Sequence, residues 1–461
     1  MENYSHLPAG PKGSKLIQTI KFLSRPMAYL EACRERYGKT FTLRFIGQPT
    51  MVFISAPHDI KQIFMTTDAE KLGVGGAFVG PIVGDFSLLT LNGKKHLEHR
   101  KLILPSLHGE RMHVYNHIMA TLTQQTISSW QKNKDIILLD EMREITFNVI
   151  LKTIFGLDED NARFANLVQC LRSLIKIMKT PLGSAILLIL KPLQRNLGPL
   201  TPWAKIMKLR QEIDVILFNE IKQRSTSDLT DRIDILSMLL QARDEDGHKL
   251  TEEEIRDELM TLLLAGYVTT SNGLTWSLYF ILKNKPVLKK IKEEIQQISS
   301  EGELLDNIHK LTYMGAAIKE ALRITPVNAY ASRFVKQPYT MGSYTLSPGT
   351  RIVLSIYLAH RESTVWQNPE KYNPERFLNS SEIPYTYFPF GGGDRRCPGA
   401  AFALFEIKVA LTQILQHTEL ALHKDYQLNT VLKAIHVIPA DGIPVVVKKN
   451  DFENNTKILK I

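Results

Sequence analysis

The segment that most constrains the fold is FGGGDRRCPG at residues 390–399, which is followed directly by the apolar run AAFALFEIKVAL. Three consecutive glycines predict an irregular turn whose backbone N–H groups can point inward, and the apolar run predicts a helix. Cys397 therefore lies where the turn meets the helix start. The N-terminal end of this helix at Gly399 and the adjacent Arg395 and Arg396 favour the thiolate form of the cysteine. A thiolate is a soft, electron-rich metal ligand.

A free cysteine beside an apolar helix is usually a buried core residue. The spacing argues for a different role, because five positions match the haem-binding signature FxxGxRxCxG: Phe390, Gly393, Arg395, Cys397 and Gly399. With this motif the chain resembles the cytochrome P450 family. The resemblance implies haem b (iron protoporphyrin IX) as the cofactor, with the Cys397 thiolate as the axial ligand of the iron, which favours O–O cleavage.

The resemblance extends from the LPAGPKG segment near the N-terminus to the last predicted strand, and it includes four motifs in the family's order. It implies a mostly α fold with a minor β region, in which the haem lies between a long central helix and the cysteine-loop helix. The reaction implied is monooxygenation, the insertion of one oxygen atom from O2 into an unactivated C–H or C=C bond while the other leaves as water. The chain most resembles soluble bacterial members, similar to cyanobacterial proteins that oxidise fatty acids or terpenes.

Residues 251–283 show the longest helical pattern in the chain. Thr251 and Glu254 form a capping-box pattern at its start, Pro286 follows its end, and the predicted length is roughly 50 Å. A helix of this length can cross the whole molecule. Gly266 within it costs about 1 kcal/mol relative to alanine and predicts a local distortion.

By resemblance, the middle of this helix carries the family's oxygen-binding motif, (A/G)Gx(D/E)T(T/S). Ala265, Gly266, Thr269 and Thr270 fit the motif and are candidate catalytic residues, whereas Val268 replaces its acid. That acid helps relay protons to the reduced oxygen, and an isopropyl group can neither donate nor accept one. A threonine inside a helix can also bond back to the carbonyl four residues earlier. We expect oxygen activation at Thr269, with protons arriving through water or another side chain.

The segment GKKHLEHRKLILPSL at residues 93–107 is helical in pattern before its proline. His96 and Arg100 share a face of this helix because they are four residues apart. Such a pair would ordinarily be part of a solvated surface. The resemblance instead implies that both bind the haem propionates, together with Arg333 and Arg395.

Glu320 and Arg323 are three residues apart in the helical segment 313–324. An isolated pair of this type stabilises a helix by only about 0.2–0.5 kcal/mol. The pair resembles the family's ExxR motif, and Arg376 in YNPERF supplies the second arginine. The resemblance implies a buried, structural cluster of these three side chains that braces the cysteine loop.

The remaining segments give coarser predictions. Alternating residues at 40–54 predict a hairpin, residues 72–89 a long loop over the substrate pocket, and residues 434–442 a loop that also meets the pocket. Helices are predicted across most of 110–235. Within that region the apolar stretch 183–193 is either a mobile lid, as the resemblance implies, or a plain buried helix.

The residues that the resemblance places around the substrate are overwhelmingly apolar, which predicts a hydrophobic small-molecule substrate. They are Phe78, Val79, Ile82, Val83, Leu264, Val327 and Ala329.

The formal net charge of +10 is compatible with nucleic acid, an anionic membrane surface or an acidic protein partner. The lysines and arginines are scattered and no nucleic-acid recognition module is legible, so we expect no nucleic-acid partner. The sequence contains no legible segment for binding FMN, FAD or an iron–sulfur cluster. Electrons are therefore expected from outside, and the resemblance favours an acidic ferredoxin with its NAD(P)H-dependent ferredoxin reductase.

With 44% hydrophobic and 23% charged residues among 461, the chain has the composition of an ordinary globular protein. No linker or internal repeat divides it, so we expect a single, monomeric domain over residues 1–461. Residues 1–14 form a proline-containing hinge without a preceding apolar run, which predicts a cytoplasmic protein without a transmembrane anchor. Three cysteines without CxxC spacing fit a reducing compartment and predict neither a disulfide framework nor a zinc site.

Two alternatives to monooxygenation remain open. A haem-thiolate isomerase or dehydratase acting on an already oxidised substrate needs no proton relay. Val268, which cannot relay protons, is compatible with such a reaction. These enzymes, however, often lack the threonine that this chain has at position 269. A non-catalytic haem protein acting as a sensor would bind haem without substrate-dependent turnover.

Overall fold

A computed structural model describes residues 7–75, 79–109, 111–156, 162–178, 201–378 and 384–452, with single positions between 179 and 200. Helices predominate over strands in these residues. The helices are α1 (Lys15–Ser24), α2 (Pro26–Tyr37), α3 (Pro57–Met65), α4 (Gly80–Val83), α5 (Gly93–Ile103), α6 (Arg111–Ser128), α7 (Leu138–Phe155), α8 (Ala162–Met178), α9 (Pro202–Ser225), α10 (Ile235–Gln241), α11 (Glu252–Lys283), α12 (Lys285–Glu301), α13 (Thr312–Ile324), α14 (Ile356–Ala359) and α15 (Ala400–His417). The strands are β1 (Thr40–Leu43), β2 (Met51–Ile54), β3 (Leu72–Val74), β4 (Asp135–Ile137), β5 (Tyr330–Val335), β6 (Tyr339–Met341), β7 (Tyr344–Leu346), β8 (Arg351–Ser355), β9 (Thr418–Leu422), β10 (Thr430–Lys433), β11 (His436–Pro439) and β12 (Pro444–Asn450).

Helix α11 organises the main core. The predicted capping box is present: the Glu254 N–H donates to Thr251 Oγ1 at 3.2 Å, and the Thr251 N–H donates to Glu254 Oε2 at 2.8 Å. Its 32 residues correspond to a length of about 48 Å. Every side chain from Ser271 to Ile281 is buried, because α7, α9, α13 and α15 pack around the helix.

The largest sheet has the strand order β1-β2-β8-β5-β3. β1 and β2 form the predicted antiparallel hairpin, β2 pairs in parallel with β8, and β5 pairs antiparallel with both β8 and β3. A second hydrophobic core, which includes Ile60, Phe64, Leu354 and Phe388, joins this sheet to α3 and to the approach to the cysteine loop.

Two segments predicted as loops contain regular structure. Within residues 72–89, β3 pairs with β5 and is followed by the short helix α4. Within residues 434–442, β11 forms a hairpin with β10. The partner of β3 is far away in the sequence, so no local pattern signals this strand.

Helix α11 continues without interruption through Gly266, where the sequence predicts a local distortion. A Cβ atom there would lie 3.0 Å from Cδ1 of Ile150 on α7, so the glycine permits close packing of the two helices. None of the helices in the described part of the chain has the combined length and apolarity that a bilayer crossing needs. Phe78 and nearly all of the stretch 183–193 lie outside the described residues.

Candidate functional site

The cysteine loop is a tight turn held against the end of α3. Gly391 and Gly393 adopt φ angles of +71° and +62°. A Cβ atom on Gly393 would lie 2.1 Å from the backbone oxygen of Phe64, so only glycine fits at this position. The Cys397 N–H donates to the carbonyl of Phe390 at 2.9 Å, which closes the loop just before α15.

The Cys397 thiol is accessible just before the N-terminal end of α15. Its side chain is accessible to molecules the size of water, although protein surrounds it closely enough to desolvate it. Burial raises the pKa of the thiol, while the Gly399 N–H and the charges of Arg100 and Arg396 lower it. The net shift is upward, so the prediction that the loop alone favours the thiolate is wrong. A bound metal cation would reverse the balance, because it favours the charged form directly.

Three arginines are held beside the loop by backbone carbonyl groups. Arg395 donates to the carbonyl of Leu88 at 3.1 Å, and Arg100 on α5 donates to that of Arg396 at 2.6 Å. Arg333 on β5 donates to the carbonyl of the preceding residue at 3.0 Å. Among the described residues, no Asp or Glu forms an ion pair with any of these three arginines. Guanidinium groups without a carboxylate partner form a site for an anionic ligand.

The arginines and His96 shift one another's pKa values. Burial, followed by the charges of Arg333 and Arg100, lowers the pKa of Arg395 to about 10, although Asp394 acts in the opposite direction. Burial also lowers the pKa of Arg333 to about 10. His96 is buried on α5, and burial together with the three arginines lowers its pKa to about 3. The imidazole is therefore neutral near pH 7, and the cluster carries positive charge that an anion would compensate.

The middle of α11 is open on one side. Ala265 is exposed although the helix is buried on either side of it, and Gly266, Val268 and Thr269 are partly exposed. The Thr269 hydroxyl donates to the Ala265 carbonyl at 2.6 Å. Thr270, which also fits the sequence motif, is buried, because consecutive residues on a helix point in different directions. Thr270 is therefore corrected from a catalytic to a packing position, and Thr269 faces the opening.

Glu320, Arg323 and Arg376 form an ion cluster in which Glu320 and Arg323 are buried and Arg376 is partly exposed. Arg323 Nε donates to Glu320 Oε2 at 2.7 Å, and Arg376 Nε donates to Glu320 Oε1 at 3.1 Å. Arg323 also donates to the carbonyl of His360 at 2.8 Å, and His360 Nε2 accepts from the Phe388 N–H at 2.9 Å. The structure thus brings the three side chains together and connects them to the start of the cysteine loop.

A sequence profile of the family described as Cytochrome P450 matches residues 8–443. The chain belongs to the cytochrome P450 family. A Mycobacterium tuberculosis protein provisionally named cytochrome P450 135B1 is 32% identical over 444 residues, which cover 96% of this chain and 91% of the relative. Another M. tuberculosis protein, provisionally named cytochrome P450 138, is 31% identical over 450 residues, which cover 96% of each chain. The solved structure of retinoic acid-bound cyanobacterial CYP120A1 shares the fold, with a TM-score of 0.82 at 22% identity, covering 96% of this chain and 100% of that one.

As a P450, the protein is a haem-thiolate monooxygenase that binds haem b through a cysteine thiolate and uses O2, a redox partner and a hydrophobic substrate. Three observations show that the residues present fit this cofactor. The Cys397 side chain is accessible to a ligand. The arginines beside it have no acidic partner among the described residues, which suits the two carboxylates of the porphyrin. The opening of α11 presents small or apolar side chains, which suits a flat apolar ring.

The substrate-pocket residues predicted for this P450 divide into two groups. Three keep partly exposed side chains: Val79, Leu264 and Val327. Three are at most 1% exposed and are corrected from pocket to core positions, because a side chain without accessible surface cannot touch a ligand: Ile82, Val83 and Ala329. Phe78 lies outside the described residues.

A buried acid and histidine behind the arginine cluster of this P450 have no counterpart in the sequence prediction. His99 Nδ1 lies 3.3 Å from Oε1 of Glu258, which is 0% exposed on α11, and His99 Nε2 lies 3.4 Å from Glu254. These residues belong to two different helices, so spacing within one segment gives no signal of their contact. The carbonyl of Leu88 that holds Arg395 is also missed, because backbone groups have no sequence signature.

A separate cavity of about 300 Å³ opens between α4, α9 and α11 of the P450. Its lining includes Asp214, Arg256 and Asp257, and Arg256 forms ion pairs with both carboxylates. The lining contains none of the residues predicted to bind haem or substrate. Because its lining includes neither the motif cysteine nor any of the three arginines beside it, the cysteine loop and not this cavity is the candidate active site.

Proposed function

We propose that Cys397 is the axial ligand of the haem iron and that this P450 hydroxylates or epoxidises a fatty acid or a terpene. The observation that carries the ligand assignment is the position of the thiol, which is accessible just before the start of α15 and has three arginines beside its loop. The other cysteines offer no comparable site. Cys33 is buried, and Cys170 on α8 has its Sγ 3.4 Å from a carboxylate oxygen of Glu212.

Replacement of Cys397 tests this assignment. The reduced protein treated with carbon monoxide should absorb at about 450 nm, and Cys397→Ser should abolish the band, because a serine oxygen does not supply a thiolate. Cys170→Ser is the matched control, since it removes a thiol elsewhere and should leave the band unchanged. An unaltered band in Cys397→Ser would refute the ligand, and with it the roles proposed for the residues around it.

We propose functions for the residues around Cys397 from their positions in the structure. Arg100, Arg333 and Arg395 bind the haem propionates, whose negative charge offsets the positive charge of the cluster. The neutral His96 is 3% exposed, so it is corrected from a propionate ligand to a buried position beside them. Phe390, Gly393 and Gly399 determine the shape of the cysteine loop. The ion cluster of Glu320, Arg323 and Arg376 braces this loop.

The haem, when bound, supplies the redox chemistry that splits dioxygen. The chain contributes the Thr269 hydroxyl at the opening of α11, where Ala265 and Gly266 leave room. That hydroxyl donates to the Ala265 carbonyl in this structure, so it must rotate before it can donate to a ligand. Val268 cannot return a proton to it, so we assign that step to water molecules.

The partly exposed apolar side chains at the site support the proposed substrate class. Leu264, Val268, Val327 and Phe390 all pack against the main core and keep some accessible surface. Burial of a hydrophobic substrate against them contributes about 25 cal/mol per Å² to binding. A screen of fatty acids and terpenes for a shift of the ferric haem spectrum, followed by turnover of the hits, tests the class. No shift with any member of either group would refute it.

We further propose an acidic ferredoxin with its NAD(P)H-dependent reductase as the electron donor. The net charge of +10 and the exposed Arg396 beside the ligand support docking of an acidic protein on this side. The rate of reduction by such a ferredoxin should fall as ionic strength rises, because salt screens attraction between exposed charges. A flat salt profile would contradict electrostatic docking.

A haem-thiolate isomerase or dehydratase is the second candidate, and Val268 is the observation that favours it. Such a reaction needs no proton delivery to oxygen. Product analysis under ¹⁸O2 separates the two functions: a monooxygenase incorporates one labelled atom while NAD(P)H is consumed, whereas an isomerase or dehydratase incorporates none.

A further inference from the structure

Helix α1 exposes most of its apolar residues, and its one buried residue is the polar Gln18. Leu16, Ile17, Ile20 and Leu23 are 55%, 51%, 56% and 69% exposed, whereas Gln18 is 2% exposed. The four apolar residues follow the spacing of a single helix face. A helix that packs on a globular core normally shows the opposite arrangement.

Hydrogen bonds hold α1 in this orientation. The Gln18 Nε2 donates to the carbonyls of Gly13 at 2.9 Å and Pro11 at 3.2 Å, and its Oε1 accepts from the Arg44 N–H at 2.9 Å. The Phe22 ring packs on Phe45 with 4.8 Å between the ring centroids. The inward face of the helix is therefore fixed by specific contacts, and the apolar face is directed outward without a partner in the described residues.

The exposed surface continues onto the neighbouring β1–β2 turn. The Ile46 N–H donates to Thr19 Oγ1 at 3.0 Å, which fixes this turn beside α1, and Ile46 is itself 46% exposed. We use the name α1 patch for Leu16, Ile17, Ile20, Leu23 and Ile46. A contiguous apolar surface of this kind is typical of an interaction site.

Basic residues without neighbouring acids surround the α1 patch. Lys12, Lys15, Lys21 and Arg25 are all exposed, and residues 7–30 contain no Asp or Glu. Two copies of this surface would repel each other, since each carries the same four cations. An apolar face with a basic border is instead complementary to a surface that has negative charges above a hydrocarbon layer.

We propose that the α1 patch binds an anionic lipid bilayer peripherally. Helix α1 has 10 residues and a length of about 15 Å, so it lies in the plane of the interface and does not cross the membrane. Leu16, Ile17, Ile20, Leu23 and Ile46 enter the boundary between headgroups and acyl chains. The four cations contact the lipid phosphates.

Flotation of the full-length haem-loaded protein with vesicles tests this proposal. The wild type should bind vesicles that contain phosphatidylglycerol in phosphatidylcholine, should bind phosphatidylcholine alone much more weakly, and should be released by salt. Ile20→Gln/Leu23→Gln should weaken binding about tenfold or more, because it removes two side chains from the acyl boundary. Val114→Gln/Val215→Gln is the matched control: these valines are 38% and 61% exposed outside the patch, and their replacement should not change binding.

Three outcomes would overturn the proposal. The first is a wild type that does not bind phosphatidylglycerol vesicles, and the second is equal binding by the two double variants. The third is a lipid-free dimer, detected by sedimentation velocity, that Ile20→Gln/Leu23→Gln dissociates, because this would assign the patch to a second copy of the chain. All variants change exposed residues, so an unaltered carbon monoxide spectrum checks that each remains folded.

Discussion

Val268 lies one residue before the Thr269 hydroxyl that faces the opening of α11, so this position limits how protons reach the site. Its isopropyl group packs against the main core, and the Thr269 hydroxyl donates its own proton to the Ala265 carbonyl. A side chain that cannot exchange protons leaves the threonine dependent on water. Slow proton supply favours loss of reduced oxygen as peroxide.

We predict that Val268→Glu lowers the peroxide formed per NAD(P)H oxidised by roughly a factor of two or more, because a positioned acid accelerates proton transfer by about 100-fold or more. The measurement compares peroxide yield with NAD(P)H consumption in the reconstituted system. Val268→Gln is the control, since it has nearly the same size but no titratable proton. An unchanged ratio in Val268→Glu, or an equal fall in both variants, contradicts the prediction.

At the scale of elements, the cysteine loop depends on supports from two sides. The end of α3 contacts it through Phe64, and α13 is connected to it through Arg323, His360 and Phe388. Both supports bring together segments that are distant in the sequence. Loss of either should reduce haem retention together with stability, because the loop carries the proposed ligand.

We predict that Gly393→Ala destabilises the protein and lowers its haem content. A left-handed backbone conformation alone costs a residue with a Cβ about 1–2 kcal/mol, and the added methyl would also collide with the backbone of Phe64. Gly342→Ala is the matched control, because Gly342 has φ +55° and open space around it. Urea unfolding and haem per chain are the measurements, and equal losses in the two variants would show that the collision is unimportant.

We predict that Glu320→Gln costs about 3–5 kcal/mol in the free energy of unfolding, because it leaves the fully buried charge of Arg323 without its carboxylate. The control is Glu370→Gln, which breaks the ion pair of Arg361 with a carboxylate that is 69% exposed. That change should cost about 1 kcal/mol or less. The prediction fails if urea unfolding gives similar losses for both variants.

The sequence predicts those elements whose signals are local. The capping box of α11 and the β1–β2 hairpin involve residues only a few positions apart, and both predictions are confirmed. β3 is missed because its partner β5 is distant in the chain. Ile82 and Ala329 are placed in the pocket by the resemblance, and their apolar character could not correct this, because it does not distinguish a pocket from a packed core.

In the candidate site, too, only residues that belong to a local sequence pattern could be predicted. Cys397 and the Glu320–Arg323 pair are found because they belong to motifs with fixed spacing. The contact of His99 with Glu258 joins two helices and has no such spacing. The inverted orientation of α1 is equally hidden, because the sequence shows an amphipathic pattern but not which face is turned inward.

At the scale of the whole molecule, the main hydrophobic core includes residues from Ile82 to Val447. Two buried histidines have pKa values that are shifted in opposite directions. His360 is 0% exposed, and burial, followed by the charge of Arg323, lowers its pKa to about 3. Burial opposes protonation of His99, but Glu258 and Glu254 outweigh it and raise the pKa above its ordinary value of 6.5.

These shifts predict that the free energy of unfolding depends on pH on both sides of neutrality. Below pH 6.5 the unfolded chain protonates position 360 while the folded protein does not, so stability falls by up to about 1.4 kcal/mol per pH unit as pH drops. His99 affects stability in the opposite direction, since the free energy of unfolding that it contributes is lost as pH rises above 6.5.

His360→Gln should reduce the loss of stability that urea unfolding shows between about pH 6.5 and 5. Glutamine can still accept the Phe388 N–H but does not bind a proton in this range. His309→Gln, at an exposed position, should keep the wild-type slope, and an unchanged slope in His360→Gln would rule out this origin of the acid sensitivity.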